Sequence, residues 1–371
     1  TVCAGNQTTL SHTSPGGTWT SSNSLAATVG TADGIVSGLN AGTTNITYRI
    51  SEGCFRTAVV SVSATPPSIS GPSFVCEGSS VLLTNSVGGT WSSSDTLVAT
   101  VPTGSGTVTG LLAGAVTISF RAASTGCLAT RALSVNTTPS AVTGPDVVCV
   151  SNTAPFTATP AGGAWSSGAV AVLGVAASPG SFIGNSAGTA SITYLLNGCR
   201  SSKTVSVVAM PGVISGVLTL CSGANTTLSS FTPGLMWSSE STTVATVATA
   251  SSTTCLVTGV DGGTSTISYT NASGCARTVV VTVTPSPSDI AGAMQICVGG
   301  TTTLTNAVSG GSWSSSTPAV ASITLSGNIT GVSTGTTIIT YRTSGTCFVT
   351  ATITVNAAPS DPIVGTLGVC V

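Results

Sequence analysis

The seven residues Gly88–Ser94 read GGTWSSS, with near-copies at Gly16–Ser22 (GGTWTSS), Gly162–Gly168 (GGAWSSG), Gly234–Glu240 (GLMWSSE) and Gly310–Ser316 (GGSWSSS). These copies hold every tryptophan of the chain: Trp19, Trp91, Trp165, Trp237 and Trp313, at spacings of 72, 74, 72 and 76. Two cysteine series keep the same step. Cys3, Cys76, Cys149, Cys221, Cys297 and Cys370 are spaced 73, 73, 72, 76 and 73, and Cys54, Cys127, Cys199, Cys275 and Cys347 are spaced 73, 72, 76 and 72. Three markers on one period identify a tandem repeat before any local structure is assigned.

Within a period the residues alternate. Between prolines 66–67 and 139 the chain runs PSIS, SFVCEGSSVLLTNS, GGTWSSS, LVATV, GTVTG, AGAVTISFRA and TGCLATRALSV. Val, Ile and Thr at every second position, punctuated by Gly and Pro, predict short strands. No window carries helical apolar spacing. About seven strands per repeat predict an all-β fold of stacked sandwiches. The prolines bound the expected domains: 1–65 (lacking its first strand), 66–138, 139–210 (divergent), 211–286, 287–358, and 359–371 as the first strand of a further repeat. Both ends fall at one point of the repeat, as expected of a segment of a longer or processed chain.

Composition narrows the function. Of 371 residues only 5% are charged and the net charge is −1, so no basic field exists to attract nucleic acid or anionic lipid. No apolar run reaches the roughly 20 residues of a membrane helix. His12 is the only histidine and Lys203 the only lysine. The nine acids (Asp33, Glu52, Glu77, Asp95, Asp146, Glu240, Asp261, Asp289 and Asp361) form no calcium-binding run. No catalytic constellation, cofactor or metal site is expected. The arginines gather near one hairpin of each repeat, as solvated hairpin ends or as partners for Glu77 and Asp146 of a neighbouring repeat. Sequons at Asn6, Asn45, Asn136, Asn225, Asn271 and Asn328, and the DTL triplet Asp95–Leu97, are candidate glycan sites.

The runs WSSSDTLVATV…GTVTGLLAGAVTISF and WSSSTPAVASI…GNITGVSTGTTIITY resemble the bacterial immunoglobulin-like domains of the second group. That family's signature is Trp-Ser-Ser, then VATV, G-x-VTG and AGT-x-x-I-x-Y. Four repeats fit it. The third, GAVAVLGVAASPGSFIGNSAGTASITY, lacks both VATV and VTG. The VC-x-G and GC elements resemble repeats of very large secreted proteins of Bacteroidota-type bacteria. The resemblance implies tandem immunoglobulin-like sandwiches on a bacterial surface protein, with the five tryptophans in the cores.

Twelve cysteines without C-x-x-C spacing point to disulfides and an oxidising exterior. In an immunoglobulin-like sandwich the VC-x-G and GC cysteines lie at opposite ends, one strand (about 20–26 Å) apart. Bridged Cα atoms lie within about 7 Å. This favours bonds across repeat junctions: Cys3–Cys127, Cys76–Cys199, Cys149–Cys275 and Cys221–Cys347. Cys54, Cys297 and Cys370 are then left for repeats outside the segment. The alternative is one bond per repeat: Cys3–Cys54, Cys76–Cys127, Cys149–Cys199, Cys221–Cys275 and Cys297–Cys347. Cys255 belongs to neither series and is expected to be a buried free thiol.

The expectation is an extracellular structural array, the fibre, stalk or filament of a bacterial cell-surface protein. Its partners would be neighbouring repeats and further copies of itself. An adhesin whose repeats bind a glycan or another protein is the alternative. A tail strand completing the first repeat of another copy is a further possibility.

Overall fold

The computed structural model describes residues 1–50, 53–234, 236–344 and 347–360. Glu52, Asp361, Cys370 and the segment 361–371 lie outside the described residues. Every regular element among the described residues is a strand.

The second repeat illustrates the design. One sheet takes Gly89–Ser93, Gly114–Ala122, Leu128–Asn136 and Phe74–Cys76 in that order; the other takes Ala99–Thr100, Thr107–Gly110 and Ser80–Leu82. All pairs are antiparallel except Phe74–Cys76, which runs parallel to the end of Leu128–Asn136. The long strand Gly114–Ala122 follows from its alternation: Val116, Ile118, Phe120 and Ala122 are buried, while Ala115, Thr117 and Arg121 are exposed. Four-stranded and three-stranded sheets facing each other across such residues make an immunoglobulin-like sandwich. The same two strand orders recur in the first and fifth repeats. In the fourth, Ile214–Ser215 adds a strand to the smaller sheet.

The entry segment of each repeat after the first crosses to the smaller sheet. Ser70 bridges Thr84, Thr143 bridges Thr157 and Ala291 bridges Thr305. The residue before each bridge, Ile69, Val142 or Ile290, is buried. In the third repeat Leu173–Val175 and Ser181–Gly184 pair where VATV and VTG stand elsewhere. Leu173 and Phe182 fill the space, each fully buried. Four core clusters each draw on one repeat, around Trp19, Trp91, Trp237 and Tyr341.

Contacts divide the chain into two compact units. One comprises Thr1–Asp146, Thr153–Asn185 and Thr189–Ser206; the other comprises Val147–Asn152, Ser186–Gly188 and residues from Val207 onward.

The recurring heptad has a packing reason. Trp19 pairs with Tyr48, Trp165 with Tyr194, Trp237 with Tyr269 and Trp313 with Tyr341 in register, with ring centroids 4.7, 4.7, 4.2 and 4.6 Å apart. Each tyrosine then reaches beneath the loop before its tryptophan strand. The hydroxyls of Tyr48, Tyr194 and Tyr341 donate to the carbonyls of Ser14, Pro160 and Val308 at 2.6, 2.7 and 2.6 Å. They accept from the amides of Gly17, Gly163 and Gly311 at 2.8, 2.7 and 2.9 Å. A Cβ at these glycines would lie 2.3, 2.4 and 2.5 Å from the ring, so the G-x-W glycine is required by close approach. The second repeat has Phe120 instead and keeps Gly89 under its ring.

Tyr341→Phe is expected to lose about 1 kcal/mol from the fifth repeat. Gly311→Ala is expected to lose more, because the ring and the Arg342 carbonyl both stand in the way. Hydrogen exchange followed in peptides of Gly335–Ser344 checks both, with faster exchange in the alanine variant.

Candidate functional site at the covalent junctions

The parallel pairing fixes one half of the site. Cys76 sits beside Asn136, and Cys3 beside Ser63, where the first named strand of a repeat stops against the end of its last. The other half is the tight turn joining the two long strands. In the third repeat this turn is Asn197-Gly198, both at positive φ (49° and 84°), the conformation a two-residue hairpin requires. Cys199 follows at once.

Four disulfides join these halves. They are Cys3–Cys127, Cys76–Cys199, Cys149–Cys275 and Cys221–Cys347, with Cα separations of 5.8, 5.7, 5.7 and 5.6 Å. Each links a repeat to the next, and each lies within one compact unit. The hairpin cysteines Cys127, Cys199, Cys275 and Cys347 are at most 2% exposed. The within-repeat pairs Cys3–Cys54, Cys76–Cys127, Cys149–Cys199, Cys221–Cys275 and Cys297–Cys347 are not formed. The reason is length: Cys76 adjoins Asn136, whereas Cys127 precedes Leu128 at the far end of the same nine-residue strand, about 30 Å away.

Hydrogen bonds seat the hairpins. The Asn136 Nδ2 donates to the Asn197 carbonyl at 2.6 Å, and the Phe74 ring lies against Gly198. The Asn271 Nδ2 donates to the Ala209 carbonyl at 3.0 Å, and the Thr343 hydroxyl to the Pro285 carbonyl at 3.0 Å. Two sequon asparagines, Asn136 and Asn271, therefore use their side-chain amides in junctions. The sequence reading missed this, although a polar residue beside each cysteine end was a visible signal. At the DTL triplet, Asp95 Oδ1 accepts from the Leu97 amide at 2.9 Å, closing a turn, and Thr96 is exposed.

The arginines do something other than meet Glu77 and Asp146. Arg121 and Arg131 donate to the carbonyls of Gly126, Ile69 and Gly71, and Arg277 to that of Pro211. Arg49 and Arg342 lie over Phe55 and Phe348 at 5.4 and 4.8 Å. Glu77 instead accepts from the backbone amides of Ala113 and Thr138, and Asp146 pairs with Lys203 at 2.5 Å. His12 stacks on Tyr48 and accepts from the Ser14 amide. Among the described residues, no three His, Cys, Asp or Glu side chains gather as a metal site.

The tryptophans face the cores: Trp19, Trp91 and Trp237 are buried and Trp165 and Trp313 half-buried. Cys54 and Cys297 are free and exposed, while Cys255 is free and wholly buried opposite Leu228, beside Val257.

No family model matches the chain, and no curated protein matches it. Solved structures similar to it include the N-terminal eight Ig domains of Down Syndrome Cell Adhesion Molecule, at 12% identity and TM-score 0.29 over 97% of this chain. Surface layer protein SbsC, domains 1–6, aligns at 15% identity and TM-score 0.19 over 91% of this chain. Invasin, a bacterial integrin-binding protein, aligns at 14% identity and TM-score 0.30 over 85% of this chain and 76% of its own. The chain spans 59% and 62% of the first two structures.

Burial pushes the Cys255 thiol up from 9.0 to about 11, against a smaller opposing effect of a backbone hydrogen bond at Leu228. The folded protein thus holds the proton where the unfolded chain has lost it. Stability from this residue is intact below pH 9 and declines as pH rises from 9 towards 11. Denaturation at stepped pH should show a loss of up to roughly 2–3 kcal/mol over that range relative to Cys255→Ala.

Proposed function

We propose that this chain is an extracellular structural array, a disulfide-stapled stalk or filament segment of a bacterial surface protein. The observation that carries the reading is the set of four bridges, each binding one repeat to its successor. A repeat of some 70 residues buries a modest core and is stabilised by staples. Closing a loop of over 100 residues contributes about 4–5 kcal/mol in a chain-entropy description. Such bonds persist outside the reducing cytosol. They also reroute tension. From Cys3 the shortest covalent path crosses to Cys127, runs back to Cys76, crosses to Cys199, continues to Cys221 and crosses to Cys347, so residues 4–75, 128–198 and 222–346 carry no load in the fully stretched chain.

Few charges and one lysine leave a neutral surface with few cleavage sites for trypsin-like proteases. The tryptophans and tyrosines are committed to cores and loop clamps, which weighs against repeat-by-repeat sugar stacking and for a mechanical role.

Single-molecule stretching tests this. The oxidised chain is expected to release about a quarter of the contour length of the reduced chain before rupture. Equal contour lengths in the two states, or non-reducing peptide maps giving Cys76–Cys127 in place of Cys76–Cys199, would overturn the reading.

A further inference from the structure

The outer face of the larger sheet repeats as faithfully as the core beneath it. In the second repeat Ser92, Ser119 and Thr130 stand directly opposite one another on three adjacent strands. In the fifth, Ser314, Thr340 and Thr350 do the same. The first and fourth repeats carry the row centred on Thr47 and Ser268, and the third begins it with Ser166 beside Thr193. In each row the middle residue is half-buried between its neighbours and the flanking ones are exposed.

The smaller sheets treat such positions differently. On their outer faces, in the first, second and fifth repeats, directly opposed polar side chains bond across the strands. Gln7 donates to Ser37 at 2.9 Å, Thr303 to Asn328 at 2.8 Å, and the hydroxyls of Ser80 and Thr109 share a bond of 2.8 Å. Among the described residues no hydroxyl of the larger-sheet rows bonds another protein group. Their donors and acceptors stand ready for a second surface. The next row on the same face adds apolar area. Val59, Val280 and Ile338 are 71, 54 and 47% exposed there, opposite Asn45, Thr266 and Thr352.

We infer that this face docks against the same face of a second copy of the chain, side by side. The inference rests on the structural-array reading and names its partner. A hydroxyl both donates and accepts, so two identical rows satisfy each other. The rows bear no charge, so a two-fold contact sets no like charges against one another. The methyl groups of Thr, Val and Ile fill the remaining space at the roughly 10 Å separation of two packed sheets.

Area sets the number of repeats required. Three strands about 4.8 Å apart, eight residues long at about 3.3 Å each, offer roughly 400 Å² per repeat. A stable contact takes about 800 Å² from each partner. One repeat falls short, so two or more repeats of each copy engage, and the tandem chain supplies them already linked. The contact is weak for one repeat and strong between arrays. Arg49, Arg121 and Arg342 stay at the rim of the face, turned onto Phe55, the Gly126 carbonyl and Phe348 of their own hairpins.

The test uses the 371-residue chain carrying Cys54→Ser, Cys297→Ser and Cys370→Ser, which keeps disulfides between copies out of the readout. Sedimentation velocity over a concentration series is expected to show dimers or larger species, and added salt should not weaken them. Thr130→Glu, Thr278→Glu and Thr350→Glu together, all at exposed positions of the rows, should raise the concentration needed by about ten-fold or more, because like charges then face each other. The matching lysine variant should behave alike, and mixing the two should restore association in a salt-sensitive form. Ser80→Glu, Thr227→Glu and Thr301→Glu, on the smaller sheets of the same three repeats, should leave association unchanged. A parent chain that stays monomeric at every concentration, a glutamate–lysine mixture that fails to associate, or an equal loss in the smaller-sheet variant would each overturn the proposal. A non-reducing digest of the same samples reports the internal bridges. Their presence without association defeats the side-by-side contact alone, and their absence defeats the structural-array reading.

Discussion

Two backbones must come within about 7 Å before their cysteines can bond. That constraint organises this protein. Within a repeat the two recurrent cysteines are held at opposite ends of a nine- or ten-residue strand, such as Leu128–Asn136 in the second repeat or Cys347–Asn356 in the fifth. The parallel strand that ends in cysteine stops where the last strand of its repeat stops. The hairpin of the next repeat is the structure brought to that place. The bond therefore crosses the junction, and a modest core gains a covalent tie to its neighbour.

The tie needs a rigid hairpin behind it, and the aromatic clamp supplies that. The tyrosine of each clamped repeat lies on the same long strand that leads into the hairpin. Its ring packs on tryptophan and its hydroxyl holds the preceding loop. A glycine two or three positions before each tryptophan admits the ring. One motif thus serves the core, the loop and, through the strand it braces, the junction. Phe120 keeps the packing in the second repeat without the hydroxyl, and there Arg121 holds the hairpin by donating to the Gly126 carbonyl.

The sandwich was legible because its signals are local. Alternating Thr, Val and Ile between glycines marks a half-buried strand wherever it occurs, and the tryptophan period marks the repeat. The tyrosine clamp was not read, because its partners are 30 or more residues distant and a hydroxyl donating to a carbonyl leaves no pattern. The signal available was that every tyrosine of the chain follows a tryptophan at a near-constant distance, with a glycine two or three positions before that tryptophan. The arginines were read as solvated hairpin ends or as partners for acids of a neighbouring repeat. Their guanidinium groups instead satisfy carbonyls of entry segments, as Arg131 does at Ile69 and Gly71. A carbonyl has no residue identity, so composition could not point to it. The third repeat lost its family-like middle strands in sequence yet keeps the pairing, with Leu173 and Phe182 fully buried where Ala99 and Val108 stand in the second repeat.

A nearly uncharged surface follows from the same chemistry. The polar groups of these repeats are Ser and Thr hydroxyls, which pair with one another across strands or close turns, as Ser21 and Thr44, Ser239 and Ser265, or Ser315 and Thr337 do. These pairs recur at one place in the sandwich, where the strand after tryptophan meets the start of the long strand. Thr44, Ser265 and Thr337 are buried there. A buried hydroxyl bonded to another hydroxyl has no charge to desolvate and no titration to respond to pH. The repeat therefore depends on short neutral hydrogen bonds, apolar burial and disulfides. Reduction acts on the disulfides alone and leaves the hydroxyl pairs and the apolar cores in place.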